Sequence, residues 1–201
     1  MLLQITDDLS LWLRFKNGDK EAFAALYQKH IISLLAYGHK LCNDQEILKD
    51  TIQELFIEIW NARQSLAKTD SVKFYLFKAL RYKLIRFEKR NHAQARSLRS
   101  VADLLYSPAS DPIEASIIDR ESSNSRIAML REAIKGLTLR QQEIIQLRFY
   151  QGFTNEQIAG LLDMNYQSVS NLVYNSICRL KKKIKNPAFT TALLVLCSLI
   201  C

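Results

Sequence analysis

Apolar residues recur at helical spacing along the first half of the chain. Behind Asp19, which suits a helix N-cap, they return every three or four positions, as one face of an α-helix requires. Asp44 suits the N-cap of a second helix that reaches about residue 65, and a third helix is predicted over residues 71–91. The apolar stripe of the first of these helices consists of Phe23, Leu26, Tyr27, Ile31, Leu34 and Leu41.

The second half of the chain has the pattern of three shorter helices. Thr154 and Gln157 have the spacing of a capping box at the start of the middle one. Asp163–Met164 supplies a turn, and Asn165 can cap the helix that follows. Two short helices joined by so tight a turn are typical of a helix-turn-helix. The three helices are predicted over about 139–151, 155–163 and 166–184.

Charge and helix-breaking residues divide the chain into domains. Residues 1–95 hold 15 basic and 11 acidic side chains, residues 96–135 hold 6 of each, and residues 136–201 hold 7 and 3. The neutral middle is rich in Ser and Asp and contains Pro, which favours a linker with a short helix around residues 113–130. With only 5 Gly and 3 Pro in the chain, we predict an all-α fold of two small helical domains. The predicted divisions are a first domain (1–95), a linker (96–135), a helix-turn-helix domain (136–186) and an apolar tail (187–201).

The composition indicates a polyanionic partner. The formal net charge is +8, which favours nucleic acid most simply, with an anionic membrane surface as the alternative. His30, His39 and His92 have neither metal-ligand spacing nor a catalytic partner in the sequence, so no catalytic residue, metal or cofactor is predicted. The four cysteines form no CxxC pair or Cys/His cluster, and we expect reduced thiols in a cytoplasmic protein. They are Cys42, Cys178, Cys197 and Cys201.

The end of the chain is uncharged. Residues 188–201, AFTTALLVLCSLIC, follow the basic run RLKKKIK. As a helix they would extend about 21 Å, against about 30 Å for a bilayer core, so a full membrane span is not expected. Two alternatives stay open: a helix packed on its own domain or on a partner, and a contact with a membrane surface.

The second predicted helix has two different faces. Leu48, Ile52, Leu55 and Ile59 fall on one side at about 100° per residue and form a core stripe. The opposite side has an apolar centre ringed by acids and amides, which is typical of a surface that docks on a basic protein. An ordinary solvated face is the alternative. This opposite side carries Glu46, Asp50, Gln53, Glu54 and Ile57, with Trp60 at its edge.

The third predicted helix combines positive charge with aromatic rings. From Lys73 to Arg90 there are 7 basic residues against 1 acidic residue. Basic groups hold phosphates and aromatic faces stack on unpaired bases, so the pattern suits single-stranded or melted DNA better than a closed duplex. A solvated amphipathic helix is the alternative. The candidate DNA-binding residues are Phe74, Lys78, Arg81, Tyr82, Lys83, Arg86, Lys89 and Arg90, opposite the inward stripe of Leu76, Ala79, Leu80, Leu84 and Phe87.

The predicted helix-turn-helix leaves a polar surface for a DNA groove. Asn and Gln can pair with adenine edges, and Ser can contact any base. No Lys or Arg occurs between Phe149 and Cys178, so phosphate attraction is expected from the flanking Arg140, Arg148, Arg179 and Lys181–Lys183. A generic three-helix bundle is the alternative. The candidate residues are Thr154, Asn165, Tyr166, Gln167, Ser168, Ser170, Asn171, Tyr174 and Arg179.

These elements, in this order, resemble the extracytoplasmic-function sigma factors of bacterial RNA polymerase, in the sigma-70 family. DTIQELFIEIW is similar to the family's helix that docks on core polymerase, and YLFKALRYKLIRFEKR to its promoter-melting helix, which binds the −10 element. The segment LTLRQQEIIQLRFYQGFTNEQIAGLLDMNYQSVSNLVYNSICRL resembles the domain that binds the −35 element. This chain has Tyr82 where the family usually has Asn, and Asp163 where it has Gly. Ser170, Leu172 and Asn175 stand where basic residues are frequent.

The resemblance implies an alternative sigma factor that is not an enzyme and has no small-molecule substrate. It implies core RNA polymerase and promoter DNA as partners, and an anti-sigma factor that is often membrane-bound. The chain would act in the cytoplasm, with membrane association through that partner or the apolar tail. The alternatives are a stand-alone helix-turn-helix regulator and a non-DNA-binding adaptor of the same fold. The residues implied in core binding are Asp50, Gln53, Glu54, Ile57 and Trp60.

Overall fold

The structure, a computed structural model, describes residues 7–98 and 129–184. These residues form two compact helical units, which confirms the predicted all-α class within the described ranges. The apolar tail at 187–201 and residues 99–128 of the predicted linker lie outside the described residues.

The first unit contains four helices, and three of them were predicted. The second predicted helix ends at Asn61, earlier than expected, because residues 62–65 form turns after its last helical residue. The third continues past residue 91 to Leu98. In chain order the helices are α1 (Asp8–Lys16), α2 (Lys20–Gly38), α3 (Gln45–Asn61) and α4 (Val72–Leu98).

Helix α1 was not predicted. Leu11, Trp12 and Phe15 form its buried face, with 0–4% of their surface exposed. The ring of Trp12 lies 5.3 Å from that of Tyr75 on α4, and the ring of Phe15 lies 5.4 Å from that of Phe23 on α2. Aromatic burial therefore fastens this nine-residue helix to two neighbours, which a helix so short needs in order to be stable.

Local capping sets where α2 and α3 begin. Asp19 Oδ1 accepts hydrogen bonds from the backbone N–H groups of Glu21 and Ala22 at 2.9 and 3.0 Å. Asp44 Oδ1 does the same for residues 46 and 47 at 2.9 and 3.1 Å. Both predicted caps are confirmed. The predicted stripe of α3 is also confirmed, because Leu48, Ile52, Leu55 and Ile59 are all at most 3% exposed.

The second unit begins, in its described part, inside the predicted linker. Residues 129–135 are helical (α5), and Ala133 is 4% exposed, so this end of the linker segment packs in the folded unit. The helix predicted over 139–151 is divided: a π-helical turn follows α6, closed by the N–H of Gln151 donating to the carbonyl of Gln146 at 3.0 Å. The remaining elements are α6 (Leu139–Ile145), the π-turn (Gln146–Tyr150), α7 (Asn155–Leu162) and α8 (Tyr166–Lys183).

Helices α7 and α8 form the predicted helix-turn-helix. Thr154 Oγ1 accepts from the N–H of Gln157 at 3.2 Å, and Gln157 Oε1 accepts from the N–H of Thr154 at 3.0 Å, which confirms the capping box. Asn165 Oδ1 accepts from the N–H of Ser168 at 2.7 Å, which confirms the second cap. Ile158 from α7 and Val169 from α8 are fully buried. The pair is therefore a packed unit with fixed entry points for both helices.

Within residues 7–98 and 129–184, no helix is long and apolar enough to cross a membrane. The same ranges contain no group of three or more His, Cys, Asp or Glu side chains arranged to hold a metal ion.

Candidate functional site

The outer face of α3 presents an apolar residue within a polar ring. Ile57 is 60% exposed. Asp50, Gln53 and Glu54 are exposed within about 100° of one another around the helix. Positions 50, 54 and 57 stack along one side because residues three and four apart are neighbours on a helix. We call Asp50, Gln53, Glu54 and Ile57 the docking face.

Trp60 is placed differently from the other predicted docking residues. It is half-buried, and its ring lies 5.0 Å from that of Phe23 and 6.1 Å from that of Phe15. The guanidinium of Arg63 sits 4.7 Å above the same ring. Trp60 therefore anchors the end of α3 to α1 and α2, at the border of the docking face.

A groove of about 530 Å³ runs between α3 and α4. Its α4 wall carries Tyr82, which is 66% exposed, together with Arg86 and Arg90. Its α3 wall carries Glu54 and Glu58. The groove thus combines a ring for stacking with cations for phosphate on one wall and carboxylates on the other.

Lys83 connects the two walls of the groove. Its Nζ lies 2.7 Å from Glu58 Oε1 and 3.0 Å from Glu54 Oε2. Burial lowers the pKa of Lys83, but the hydrogen bonds to Glu58 and Glu54 outweigh burial and raise that pKa above its ordinary value. The side chain is 18% exposed. Lys83 is therefore a charged lysine held between two carboxylates rather than a free cation.

The other predicted residues of α4 lie outside this groove. Lys78 Nζ sits 5.8 Å from the ring of Phe74, one turn earlier on the helix. Arg81 is half-buried, and Lys89 is exposed. The eight predicted DNA-binding residues thus form two groups: Tyr82, Lys83, Arg86 and Arg90 line the groove, and Phe74, Lys78, Arg81 and Lys89 do not.

The exposed surface of α8 between Tyr166 and Tyr174 is uncharged and rich in amides and rings. Tyr166 is 47% exposed and Tyr174 is 57% exposed, and Gln167 and Asn171 are exposed between them. Gln167 Nε2 donates a hydrogen bond to Asn171 Oδ1 at 3.3 Å. This bond uses one polar group of each amide and leaves Gln167 Oε1 as an acceptor and Asn171 Nδ2 as a donor. An adenine edge offers the complementary donor and acceptor.

The predicted serines are turned toward the protein. Ser168 and Ser170 are half-buried. Ser170 Oγ accepts a hydrogen bond from Asn155 Nδ2 at 3.2 Å and so links α8 to α7. The side-chain oxygens of Thr154 and Asn165 accept the capping hydrogen bonds at the starts of α7 and α8. Through these bonds the side chains of Ser170, Thr154 and Asn165 position the exposed residues of α8, and Ser168 contributes its backbone N–H.

The flanking arginines make internal contacts. Arg140 bonds to Glu143 Oε2 at 2.8 Å and to the carbonyl of Leu162 at 3.1 Å. Arg148 donates to the carbonyl of Phe153 at 3.0 Å. Arg179 is exposed and donates to Gln141 Oε1 at 3.2 Å. Arg140 is paired with a carboxylate, whereas Arg148 and Arg179 bond to neutral oxygens and keep their positive charge. Lys182 and Lys183 are exposed at the end of α8.

Sequence reasoning missed two residues of these surfaces. Glu58 follows Glu54 by one helical turn, and that spacing was a usable signal, but its pairing with Lys83 depends on how α3 packs against α4. Asn155 lies at the start of α7, is 6% exposed, and meets Ser170 15 positions later. No local pattern predicts either contact.

Family models match both units. A model described as Sigma-70 region 2 matches residues 26–94. A model described as Sigma-70, region 4 matches residues 127–180. Together they cover more than half of the chain. The docking face and the groove fall in the first match, and the helix-turn-helix falls in the second.

Curated relatives and solved structures agree with these matches. The ECF RNA polymerase sigma factor SigK of Mycolicibacterium vanbaalenii is 25% identical over 181 residues, covering 89% of this chain and 90% of the relative. SigK of Mycobacterium tuberculosis strain H37Rv is 24% identical over 182 residues, covering 89% and 94%. The fold is similar to that of the sigma factor RpoE of Bartonella quintana, solved with the anti-sigma factor NepR (TM-score 0.57, 19% identity, coverage 81% and 98%). It is also similar to that of CnrH, solved with the cytosolic domain of CnrY (TM-score 0.56, 16% identity, coverage 89% and 97%).

Proposed function

Because the chain belongs to the extracytoplasmic-function sigma factors of the sigma-70 family, we propose that its docking face, groove and helix-turn-helix carry out the separate steps of promoter recognition. The chain is an alternative sigma factor: it binds core RNA polymerase and directs initiation at specific promoters. Sigma factors are initiation factors, and the polymerase performs the chemistry. We place this activity in the cytoplasm, where polymerase and promoter DNA meet.

Asp50, Gln53, Glu54 and Ile57 bind core polymerase. The observation that supports this proposal is the exposed Ile57 within a ring of two carboxylates and one amide. An apolar contact at the centre with polar groups at the rim is the usual anatomy of a protein interface. The two carboxylates of the face select a basic partner surface and exclude the phosphate backbone.

The groove between α3 and α4 takes the opened strand of the −10 element. Tyr82 offers a ring for a base, and Arg86 and Arg90 offer charge for phosphates along the same wall. Phe74, Lys78, Arg81 and Lys89 extend the basic surface beyond the groove, where they contact the flanking backbone. The strand is bound by stacking and charge together, so its affinity depends on salt.

Helix α8 reads the −35 element. Gln167 and Asn171 present an outward acceptor and donor for an adenine edge, and Tyr166 and Tyr174 supply apolar contact beside them. Ser168, Ser170, Thr154 and Asn165 hold this helix in position, and Arg179 lies at its exposed end. An uncharged surface of this kind binds DNA weakly alone, and the tether to polymerase compensates by raising the local concentration.

An anti-sigma factor is a further partner. RpoE, whose fold is similar, was solved with the anti-sigma factor NepR. CnrH, whose fold is also similar, was solved with the cytosolic domain of CnrY. We propose that an anti-sigma factor holds this chain inactive, and that any membrane association of the chain arises through that partner or through the apolar tail.

Charge reversal on the docking face tests the core-binding proposal. Asp50→Lys places a cation against a basic partner surface, and charge mismatches of this kind cost several kcal/mol. We expect the dissociation constant for core polymerase to rise at least about 30-fold, with circular dichroism unchanged. Fluorescence anisotropy of labelled protein titrated with core measures this.

The matched control is Glu132→Lys, which makes the same charge change at an exposed site of α5. The control keeps wild-type affinity if the docking face is assigned correctly. Equal losses in the two variants would show a general charge effect instead, and unchanged affinity in Asp50→Lys would remove the docking face from core binding.

A further inference from the structure

Lys83 differs from the other cations of the groove. Arg86 and Arg90 are exposed on the same wall, whereas Lys83 is drawn across to the α3 wall. The two carboxylates that hold it are themselves open to solvent, with side-chain exposures of 66% for Glu54 and 57% for Glu58. The contact thus joins a nearly buried cation to two accessible anions.

The charge of this cluster matters for DNA. One ammonium between two carboxylates leaves a net negative charge in the middle of a groove that is proposed to take a phosphate backbone. The same lysine, once free of the carboxylates, would add a phosphate contact in line with Arg86 and Arg90. In the free protein the groove is therefore weaker for DNA than its basic residues alone imply.

Glu54 belongs to two surfaces at once. It lies on the docking face beside Asp50 and Ile57, and its Oε2 holds Lys83. A basic surface that binds the docking face competes with Lys83 for this carboxylate. Partly exposed ion pairs are weak, and the flexible stem of a lysine can reorient without movement of the helices. The exchange needs only side-chain rotation.

The geometry points to Glu58 as a further functional residue: with Glu54, it holds Lys83 away from single-stranded DNA until core polymerase engages the docking face. Glu58 Oε1 makes the 2.7 Å contact with Lys83 Nζ. Glu54 links the position of Lys83 to core binding, because it belongs to the docking face and also contacts Lys83. The contact makes strand binding depend on polymerase, so the free sigma factor does not occupy melted DNA. This inference rests on the proposed function, because it assigns regulation to the proposed docking face and groove.

Salt dependence of DNA binding reports on Lys83 directly. Each phosphate contact with single-stranded DNA contributes a slope of about 0.7 in a plot of log affinity against log salt. The probe is a fluorescein-labelled single-stranded DNA of mixed sequence, titrated with full-length protein without polymerase. We expect the double variant Glu54→Gln/Glu58→Gln to steepen the slope by about 0.7 relative to wild type. In a triple variant that also carries Lys83→Gln, the slope should return to the wild-type value.

The matched control is Glu21→Gln/Glu46→Gln, which removes the same charge from exposed positions. Residue 46 lies 12 positions before Glu58 on α3, about 18 Å along the helix. An equal steepening in the control and the test variant would show that net charge alone is responsible and would overturn the inference. If the test variant lowers the melting temperature and leaves the salt slope unchanged, the contact only stabilises the packing of α3 against α4, and the inference is overturned.

The complex with core polymerase supplies the second half of the test. Lys83→Gln is expected to flatten the slope by about 0.7 in the complex and to leave it unchanged in the free protein. Equal effects in both states would overturn the inference, because Lys83 would then never be withheld. If wild-type protein fails to bind core, the proposed function fails first; if it binds core while Lys83→Gln has no effect in the complex, only this inference fails.

Discussion

At the scale of single residues, Asp163 carries the turn between α7 and α8. Its φ of 52° lies in the left-handed region, and no other described residue except glycine has a positive φ. Most side chains clash with the following carbonyl there, whereas Asp and Asn tolerate the region because they bond locally. This explains how the chain keeps a tight turn there without glycine.

Substitution of Asp163 tests this account of the turn. Asp163→Val places a β-branched side chain in left-handed backbone, and we expect it to destabilise the helix-turn-helix by about 1–2 kcal/mol. Asp163→Gly relieves backbone strain but adds conformational freedom to the unfolded chain. The free energy of unfolding of this variant should therefore stay within about 0.5 kcal/mol of wild type. Amide hydrogen exchange of α7 and α8 measures the stability of both variants. Equal protection in the Val and Gly variants would exclude backbone strain as the determinant.

At the scale of elements, a buried polar cluster holds α1 on the first unit. His30 on α2 is 4% exposed, and its Nε2 lies 3.1 Å from Asp8 Oδ2 on α1. Lys29 on α2 also pairs with Asp8, and Lys73 on α4 faces the same carboxylate. Burial lowers the pKa of His30, Asp8 raises it, and Lys29 and Lys73 lower it further, so the net pKa is below the ordinary 6.5.

This cluster predicts loss of stability in acid. Above the ordinary pKa of 6.5 His30 is neutral in both states and contributes no pH dependence. As the pH falls below that value, the unfolded chain takes up a proton that the folded chain resists, so unfolding becomes more favourable. We expect His30→Gln to lose less stability than wild type between about pH 7.5 and pH 5.

Tryptophan fluorescence during urea unfolding is the readout, because Trp12 and Trp60 are the 2 tryptophans of the chain and both lie in the first unit. His39→Gln, which removes an imidazole outside the cluster, serves as the control for the substitution itself. If His30→Gln and wild type lose equal stability in acid, His30 does not titrate with folding.

Elements also show what a sequence can predict. The caps at Asp19, Asp44, Thr154 and Asn165 were predictable because each acts on backbone two or three residues away. The bridge from Lys83 to Glu58 was not, because it spans 25 positions and depends on the register of two packed helices.

Helix α1 was partly predictable from the sequence. Leu11, Trp12 and Phe15 have helical spacing, but a segment of only nine residues gives a weak pattern. Its stability comes from rings contributed by α2 and α4, which no local window contains. The order of docking helix, basic helix and helix-turn-helix along the chain was a stronger indication of the family than any single helix. The family matches confirm the resemblance that was based on this order.

At the scale of the whole molecule, the net charge of +8 is less available to DNA than its size suggests. Lys83 is held by two carboxylates, and Arg140 is paired with Glu143 within the second unit. The recognition surface of α8 has no cation between Phe149 and Cys178. We therefore propose that this chain binds promoter DNA firmly only when polymerase brings the two proposed DNA-binding surfaces to one promoter.

The central claim is that this chain directs core polymerase to promoters, and run-off transcription of fragmented genomic DNA from the same bacterium tests it most directly. Purified core is incubated with the DNA, with or without this chain, and transcript 5′ ends are sequenced. We predict a set of start sites that require both proteins and share two upstream elements at constant spacing. No new start sites, from a folded protein that binds core, would contradict the claim; tight binding to palindromic sites without polymerase would indicate a stand-alone regulator.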